Sequence, residues 1–307
     1  MLNTPVLFLI FNRPDTTQQV FNAIREAQPR QLFIAADGPR PQKGEEELCK
    51  QARQVVQQVD WYCEVKTLYR ENNLGCKIAV SQAIDWFFQQ VEEGIILEDD
   101  TLPVPYFFEF CSALLDQFRG DNNVMHISGA NFQFGLKRNN GRYYLSRYPL
   151  IWGWASWRRA WQHYDNRILD DEKQIEQTLT GSMKRKADIA FYKDIMLKVK
   201  ANQIDTWDYQ WLYAVLKNKG VCLTPKDNLV KNIGFDDRAT HTSSVPYWWK
   251  YMHYASAREL PPPNTSEVDE AADLFYVSLC RNHSTFEMKQ VQLRYWINKL
   301  FNNSNSN

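Results

Sequence analysis

The 307-residue sequence lacks an excess of either charge, a paired-cysteine motif and any long apolar run. Lysine plus arginine total 36, and aspartate plus glutamate also total 36, so neither a nucleic-acid footprint nor a polybasic membrane patch dominates. The six cysteines include no CxxC pair, which favours a reducing, cytoplasmic setting over a disulfide framework. The apolar run over 6–11 is too short for a signal peptide or a membrane span. We therefore expect a cytoplasmic protein with no nucleic-acid partner.

Aromatic side chains are what the sequence has in excess. It contains 11 Trp, 15 Tyr and 17 Phe, and nine of the eleven tryptophans follow residue 150. Hydrophobic residues make up 44% of the chain against 23% charged residues, which is enough to bury a sizeable core. The uneven distribution of tryptophan indicates that the second half of the chain has a specialised task.

From residue 5 onward, short apolar segments alternate with longer amphipathic ones. This pattern is typical of strand-helix-strand units that build a mostly parallel sheet. Strands are predicted at Val6–Phe11, Gln31–Ala36, Glu64–Tyr69, Gly94–Leu97, Val124–Ser128 and Val221–Leu223. Helices are predicted at Asp15–Ala27, Glu45–Val59, Lys77–Gln90, Trp157–His163, Lys184–Ala201, Asp208–Lys217 and Phe286–Phe301, with another opening at Pro103. The expected fold class is α/β, with a Rossmann-like, mostly parallel sheet flanked by helices.

Three consecutive acids, Glu98, Asp99 and Asp100, follow the fourth predicted strand. An open α/β sheet has its ligand crevice at the carboxyl ends of its strands. Adjacent carboxylates repel one another, so a hard divalent cation such as Mg²⁺ or Mn²⁺ explains this triplet most easily, and a diphosphate is the natural second partner of that cation. A solvated acidic turn is the alternative interpretation.

Two other strand ends border the same predicted crevice. The first strand is followed by Asn12 and Arg13, and the Arg13 guanidinium can donate two hydrogen bonds to one phosphate. The second strand is followed by Asp37 and Gly38, and the carboxylate can accept hydrogen bonds from a base or a ribose. Taken alone, Asn12 is better explained as a helix N-cap and Asp37-Gly38 as a tight turn. Because parallel strands end at one edge of the sheet, their convergence favours a binding site.

The second half of the sequence offers three further candidates. Asp208 opens a predicted helix between aromatic residues, where a capping role and a catalytic-base role have equal weight. His241 is one of five histidines, and a structural role is favoured over contact with a metal ion or a phosphate. Trp154 is expected in a sugar pocket, because an indole face suits the apolar face of a sugar. Trp157 and Trp161 follow Trp154 at helical spacing and are expected in the core.

Several short segments together carry a family resemblance. They are Asn12-Arg13-Pro14, Asp37-Gly38, Lys77-Ile78-Ala79, Glu98-Asp99-Asp100, Pro105-Tyr106-Phe107-Phe108-Glu109-Phe110 and Gly153-Trp154. In this order the segments resemble the metal-dependent GT-A glycosyltransferases, especially the Golgi N-acetylglucosaminyltransferase I type and bacterial haemolysin-like sugar transferases. The likeness covers about 5–242 of the chain. It implies a GT-A fold and a nucleotide-sugar donor.

The resemblance implies roles for individual residues on the donor side. Asp100 would bind Mn²⁺ or Mg²⁺ directly, and His241 is a second candidate metal ligand. Glu98 and Asp99 would contact the ribose or the sugar. Asp37 would contact the base, Arg13 the nucleotide or its phosphates, and Lys77 would lie near the donor. The complete set of candidate nucleotide-sugar-binding residues is Asn12, Arg13, Asp37, Gly38, Lys77, Glu98, Asp99 and Trp154.

The catalytic base is the part of the resemblance that departs from the family pattern. The Trp207-Asp208 segment matches the region that supplies the base, so Asp208 would take the proton of the acceptor hydroxyl. The family carries two adjacent acids there, whereas this chain has Asp208-Tyr209. Asp205 therefore remains a second candidate for the base.

These inferences give one leading functional hypothesis with alternatives. The leading hypothesis is a metal-dependent, inverting transfer of GlcNAc or another hexose from a UDP-sugar to a hydroxyl of a glycan or lipid-linked saccharide. The alternatives are a sugar nucleotidyltransferase and a non-catalytic carbohydrate-binding protein. The expected organisation is a nucleotide-sugar half at 1–128, an acceptor and catalytic half at 129–245, and a helical extension at 246–307. The last predicted helix either packs on the protein or a second subunit, which is favoured, or lies on the inner membrane surface.

Overall fold

The structure is a computed structural model that describes residues 1–138, 141–235, 246–255, 267–281 and 285–303. The strands are β1 (Val6–Ile10), β2 (Gln31–Ala36), β3 (Glu64–Tyr69), β4 (Glu93–Glu98), β5 (Thr101–Pro103), β6 (Val124–Ser128), β7 (Tyr143–Ser146), β8 (Trp154–Trp157), β9 (Val221–Pro225) and β10 (Val230–Asn232). The helices are α1 (Pro14–Ala27), α2 (Glu46–Val55), α3 (Gly75–Phe88), α4 (Tyr106–Gln117), α5 (Arg158–Trp161), α6 (Glu172–Ser182), α7 (Lys186–Lys200), α8 (Asp208–Lys217), α9 (Glu270–Cys280) and α10 (Phe286–Asn303). A 3-10 helix covers Trp249–Tyr251.

One sheet organises the fold, with the strand order β3-β2-β1-β4-β8-β6-β9-β7. Strands β7 and β8 run antiparallel to their neighbours, and the other six strands share one direction. This topology confirms the predicted fold class, a Rossmann-like, mostly parallel α/β sheet flanked by helices. Strands β5 and β10 form a separate antiparallel ribbon.

Both faces of the sheet are covered, as a mostly parallel sheet requires. Side chains alternate along β1, with Val6, Phe8 and Ile10 entering one core cluster and Leu7 and Leu9 entering another. Helices α1 and α4 cover the first face, and α3, α5 and α8 cover the second. This alternation explains why β1 is an uninterrupted apolar run in the sequence.

The segment around the clustered tryptophans differs from its predicted structure. The spacing of Trp154, Trp157 and Trp161 predicts a helix over Trp157–His163. Instead Trp154–Trp157 is strand β8, and the helix α5 covers only Arg158–Trp161. The strand forms because its backbone pairs with β4 on one side and β6 on the other. Those pairings join distant parts of the chain, so local spacing does not reveal them.

The C-terminal helix α10 has a packed side and an exposed side. Met288 and Val291 are buried in a cluster with Tyr251. The exposed large apolar side chains of this helix are Phe286, Leu293, Trp296 and Ile297. Within the described ranges, no helix combines the length and the apolarity that crossing a bilayer demands.

His126 lies in β6 and is completely buried. Its Nε2 is 3.2 Å from the Leu150 carbonyl oxygen, and its Nδ1 accepts a hydrogen bond from Trp211 Nε1 at 3.2 Å. With Nδ1 accepting, Nε2 carries the proton and donates to Leu150. Burial disfavours the charged imidazolium and lowers the pKa of His126 to about 3.

Acid is therefore expected to destabilise the fold through His126. Its folded pKa is below its unfolded value of about 6.5, so the unfolded state binds more protons between these values and stability falls as the pH decreases through that window. Substituting His126→Gln removes the titration and keeps a side-chain donor and acceptor. We expect the free energy of unfolding of wild type to fall more steeply below pH 6.5 than that of the variant, by roughly 1 kcal/mol per pH unit. Urea denaturation at several pH values measures this, and equal slopes would contradict it.

Candidate active site

A cavity of about 710 Å³ lies at the carboxyl ends of β1, β2 and β4. These three strands are parallel neighbours, so the residues that follow them meet at one edge of the sheet. The predicted site residues that line this cavity are Asn12, Arg13, Asp37, Glu98, Asp99, Asp100 and Asp208, together with the second base candidate Asp205.

The acidic triplet is presented by a tight turn between β4 and β5. The Thr101 hydroxyl accepts a hydrogen bond from Glu98 N at 2.8 Å and donates to the Glu98 carbonyl oxygen at 2.9 Å. Asp99 Oδ2 accepts a hydrogen bond of 3.0 Å from Phe11 N. This hydrogen bond attaches the turn to the end of β1, so it fixes the position of the acids relative to Asn12 and Arg13.

The acids perturb one another strongly. Burial raises the pKa of Asp99 to about 7, and the charge of Asp100 adds to this shift. Burial also raises the pKa of Glu98 well above its usual range, with further contributions from Asp100, Asp99 and Asp208. Burial and mutual repulsion therefore disfavour the charged forms of Glu98 and Asp99, whereas a nearby cation would favour them.

Arg13 supplies a positive charge beside the acids. Its Nη1 lies 3.2 Å from Asp100 Oδ2, and its side chain is 7% exposed. Pro14 occupies the first turn of α1 directly after it, and the Thr17 hydroxyl donates to the Arg13 carbonyl oxygen at 2.7 Å. Asn12 does not cap this helix, since Arg13 is at the N-cap position and the Asn12 amide donates to Glu45 Oε1 at 3.0 Å.

Hydrogen bonds of Asp37 connect the loop after β2 to the loop after β3. Its carboxylate accepts hydrogen bonds from Leu74 N at 3.1 Å and from the Asn73 amide at 3.0 Å. Gly38 N donates to the same carboxylate at 3.0 Å. A Cβ built on Gly38 would lie 2.5 Å from the Asn72 backbone, so this glycine permits the close approach of the loop after β3. Gly38 therefore permits the close packing of these two loops and does not line the cavity.

Asp208 is the first residue of α8 and accepts a hydrogen bond from the Thr206 hydroxyl. The structure shows no side-chain cap at the N-terminus of this helix, whose N-cap residue is Trp207. Asp205 is exposed and lies beside Gly75, where an added Cβ would be 3.1 Å from Asp205 Oδ2. Both base candidates therefore face the same cavity from one segment.

The end of the β5–β10 ribbon forms a further side of the cavity. Ile233 N donates to the Asp100 carbonyl oxygen at 2.7 Å, and the Asn232 side chain accepts from Gly234 N at 2.8 Å. A Cβ built on Gly234 would lie 2.1 Å from Asp100 Oδ2 and 2.7 Å from Arg13 Nη1. Only glycine lets this strand end pass so closely over the Asp100–Arg13 pair.

Several cavity residues were missed by the sequence analysis. They are Arg40, Arg70, Asn73 and Trp152, among others. Arg70 follows β3 directly, so the strand-end rule that identified Asp37 could have found it. The remaining residues lie on loops whose course depends on tertiary contacts.

The expected pocket position of Trp154 is wrong, and Trp152 lines the cavity instead. Trp154 is completely buried, with its ring stacked against His126 at 5.0 Å and against Trp207 at 5.7 Å between centroids. Gly153 lies between the two tryptophans with φ +59°, a conformation that other residues rarely adopt. This backbone reversal is why Trp152 faces the cavity while Trp154 enters the core.

Replacing Trp154 is therefore expected to affect stability first. Trp154→Ala should lower the free energy of unfolding by about 3–5 kcal/mol, as other large-to-small core changes do. Urea denaturation monitored by circular dichroism measures this change. Trp296→Ala is the matched control because Trp296 is 52% exposed, and its cost should be much smaller. Normal stability of Trp154→Ala would contradict its placement in the core.

Two further candidates are not brought into the cavity. Lys77 is buried on α3, and its Nζ donates to Asn202 Oδ1 at 2.9 Å, so it connects α3 to the end of α7 and does not line the cavity. The reason is that Gly75 and Cys76 occupy the cavity-facing start of α3. His241 lies outside the described residues.

The carboxylate oxygens that line the cavity suit a hard divalent cation. Among the described lining residues, six carboxylates face three guanidinium groups, and carboxylate oxygens are preferred ligands of Mg²⁺ and Mn²⁺. The described parts of the chain contain no ready-made group of three metal-ligating side chains. Mg²⁺ is commonly held by only one or two carboxylates, with water and phosphate oxygens as its other ligands.

Comparisons with known proteins give distant structural likenesses. No protein-family model matches the sequence, and no curated protein matches it. The fold is similar to that of the mannosyltransferase PcManGT from Pyrobaculum calidifontis, solved with GDP-Man and Mn²⁺, at 10% identity and a TM-score of 0.39 over 71% of this chain and 69% of that one.

Two other solved structures show a weaker likeness. The 4-diphosphocytidyl-2C-methyl-D-erythritol synthase from Anaerococcus prevotii shares 8% identity at a TM-score of 0.32, over 62% of this chain and 84% of that one. HddC from Yersinia pseudotuberculosis shares 9% identity at a TM-score of 0.28, over 41% of this chain and 57% of that one. Because these TM-scores are low, the fold assignment depends on the strand order of the sheet.

Proposed function

We propose that this protein is a transferase that acts on a nucleotide sugar, and specifically a metal-dependent, inverting glycosyltransferase with a UDP-sugar donor. The observation that carries the proposal is the shared cavity at the sheet edge. It contains Arg13 and the acids Glu98 to Asp100 together with a separate carboxylate, Asp208. Such a site can hold a diphosphate and also accept a proton from a second substrate.

The donor side of the proposal follows from charge. Mn²⁺ or Mg²⁺ bound at Asp100 would supply Lewis-acid stabilisation of the departing nucleoside diphosphate. The Arg13 guanidinium, positioned beside Asp100 by α1, would donate hydrogen bonds to the same phosphates. Arg70 follows β3 on the cavity wall and offers a second guanidinium to the nucleotide. Asp99 and Glu98 would contact the ribose or the transferred sugar.

The acceptor side requires a base. Asp208 would remove the proton from the acceptor hydroxyl as that oxygen attacks the anomeric carbon. The hydrogen bond from the Thr206 hydroxyl orients the Asp208 carboxylate at the start of α8. A single displacement of this kind inverts the anomeric configuration. The acceptor would be a hydroxyl of a glycan or of a lipid-linked saccharide.

The nearest alternative is a sugar nucleotidyltransferase that uses the same crevice. Such an enzyme commonly has a glycine-rich phosphate loop after its first strand. The corresponding segment here runs from β1 through Asn12 and Arg13 into Pro14 and has no glycine. This difference supports the glycosyltransferase proposal.

A thermal-shift panel tests the proposal. UDP-, GDP- and CMP-sugars are each added with and without Mn²⁺, since a ligand that binds only the native state raises the melting temperature. We expect UDP-sugars to raise it, and Mn²⁺ to enlarge the effect. The stabilising donor is then incubated with the protein and the released products are identified. Release of UDP supports glycosyl transfer or donor hydrolysis. Formation of pyrophosphate from UTP and a sugar phosphate would instead show nucleotidyl transfer and overturn the glycosyltransferase proposal.

A further inference from the structure

Three aromatic rings that contact one another lie beside the cavity. Trp152, Phe235 and Trp249, here called the aromatic wall, pack edge to face with one another. Their centroids are 5.9 Å apart for Trp152 and Phe235, 4.7 Å for Phe235 and Trp249, and 6.0 Å for Trp152 and Trp249. Each of the three side chains keeps part of its surface exposed. Trp152 and Phe235 line the cavity itself.

The aromatic wall begins immediately beside the acidic edge. Phe235 follows Gly234, whose backbone passes over the Asp100–Arg13 pair. The β5–β10 ribbon fixes this position through the hydrogen bond between Ile233 N and the Asp100 carbonyl oxygen. Phe235 is therefore one residue away from the backbone that passes over the proposed diphosphate site.

Among the described residues, aromatic rings also pack against Trp152 from outside the wall. Trp152 also packs against Phe132 at 4.9 Å and against Trp248 at 6.3 Å between centroids. The charged neighbour of Trp249, Lys250, has its Nζ over the rings of Tyr251 and Trp296 on the α10 side. A ligand on the aromatic wall is thus best uncharged, with an apolar face for the rings.

We propose that the aromatic wall binds a neutral pyranose ring of the acceptor substrate, an inference that rests on the proposed glycosyl transfer. The axial C–H groups of a pyranose form an apolar face that packs on aromatic rings, while its equatorial hydroxyls remain directed outward. One of those hydroxyls would reach the cavity that contains Asp208. Recognition by apolar stacking would favour neutral sugars over uronic acids, because Asp100 lies beside Gly234 and the described cation there, Arg13, is paired with it.

Saturation-transfer difference NMR tests the inference with simple probes. The probes are methyl β-D-glucopyranoside, methyl β-D-galactopyranoside, methyl α-D-mannopyranoside, octyl β-D-glucopyranoside and methyl β-D-glucuronide. We expect ring C–H protons of at least one neutral glycoside to receive saturation, and the glucuronide to receive much less. Trp249→Ala should weaken glycoside binding about tenfold, whereas Trp249→Phe should largely retain it. Phe235→Leu, a smaller change, provides a second variant if Trp249→Ala does not fold.

Trp296→Ala is the matched control, since Trp296 is an exposed tryptophan on α10 outside the aromatic wall. Its glycoside binding should equal that of wild type. Four results would overturn the inference: no neutral glycoside binds, Trp249→Ala and Phe235→Leu bind as wild type does, saturation reaches only the octyl chain, or uridine displaces the glycoside. The octyl result would indicate an acyl-chain surface, and the uridine result a nucleobase site.

Donor binding is measured separately on the same proteins by the UDP-sugar thermal shift. If glycosides bind at the aromatic wall but UDP-sugars do not raise the melting temperature, the proposed function is overturned. The aromatic wall would then still be a saccharide-binding surface. A UDP-sugar shift without wall-dependent glycoside binding would overturn the inference and leave the proposed function intact.

Discussion

Asp208→Asn is expected to lower the rate of UDP release, measured with donor and acceptor both present, by about 10²–10⁴-fold, the usual contribution of a general base. The substitution removes the proton acceptor but keeps the size of the side chain. It also keeps an oxygen that can accept the hydrogen bond from Thr206, so the start of α8 should stay in place. Affinity for the UDP-sugar should be nearly unchanged, because the proposed donor contacts lie at the Asp100–Arg13 edge. Steady-state kinetics and calorimetric titration with the donor measure the two effects.

Asp205→Asn is the matched control for this experiment. Asp205 is an exposed carboxylate that lines the same cavity three residues earlier in the chain. The control should retain most of the wild-type rate. A normal rate for Asp208→Asn would remove Asp208 from the mechanism, and a loss confined to Asp205→Asn would transfer the role of the base to Asp205.

Asp100→Asn is expected to lower the metal-dependent rate by roughly 10³-fold, since Lewis-acid stabilisation of a leaving phosphate is worth several kcal/mol. The amide keeps an oxygen for the hydrogen bond from Arg13 Nη1 but loses the charge that attracts a cation. The increase in UDP-sugar affinity that Mn²⁺ produces in wild type should disappear. Calorimetric titration of the donor with Mn²⁺ and with EDTA measures this loss.

The matched control for Asp100→Asn is Asp116→Asn. Asp116 is an exposed carboxylate on α4, paired with Arg119 on the surface. The control should keep the full Mn²⁺ effect. If Asp100→Asn also kept it, the cation site would have to be built from other residues.

These two variants also separate the two halves of the proposed mechanism. Asp208→Asn is expected to reduce turnover with donor affinity intact, whereas Asp100→Asn is expected to reduce both. A protein that only binds nucleotide sugars would show the Asp100 effect on affinity and no turnover to lose. The pair of variants therefore tests catalysis and binding independently.

The acidic edge of the site was predictable because it depends on local patterns. The first, second and fourth strands are visible as apolar runs, and parallel strands that neighbour one another end at the same edge. The residues just after them, Arg13, Asp37 and Asp100, consequently converge on one cavity. The role of Asp37 was less predictable, since its hydrogen bonds to the loop after β3 join segments that approach only in the folded protein.

The aromatic side of the site was not predictable in the same way. The spacing of Trp154, Trp157 and Trp161 fits a helix, yet two of them lie in β8 because β4 and β6 pair with that strand. Trp152 and Trp154 are two residues apart, but the positive φ of Gly153 directs one to the cavity and leaves the other in the core. Neither effect has a signature in the spacing of apolar residues.

By itself the sequence determined the α/β fold class, the order of the first four strands along the chain and the acids and arginine that follow them. Each of these is encoded by residues close together in the chain, through hydrophobic periodicity and strand-end position. Only the tertiary structure decided that Gly234 passes over Asp100, that the aromatic wall lies beside it and that Trp154 is buried. Those features depend on the pairing of β5 with β10 and of β8 with its neighbours. Such pairings bring together residues far apart in the chain, and local propensity carries no information about them.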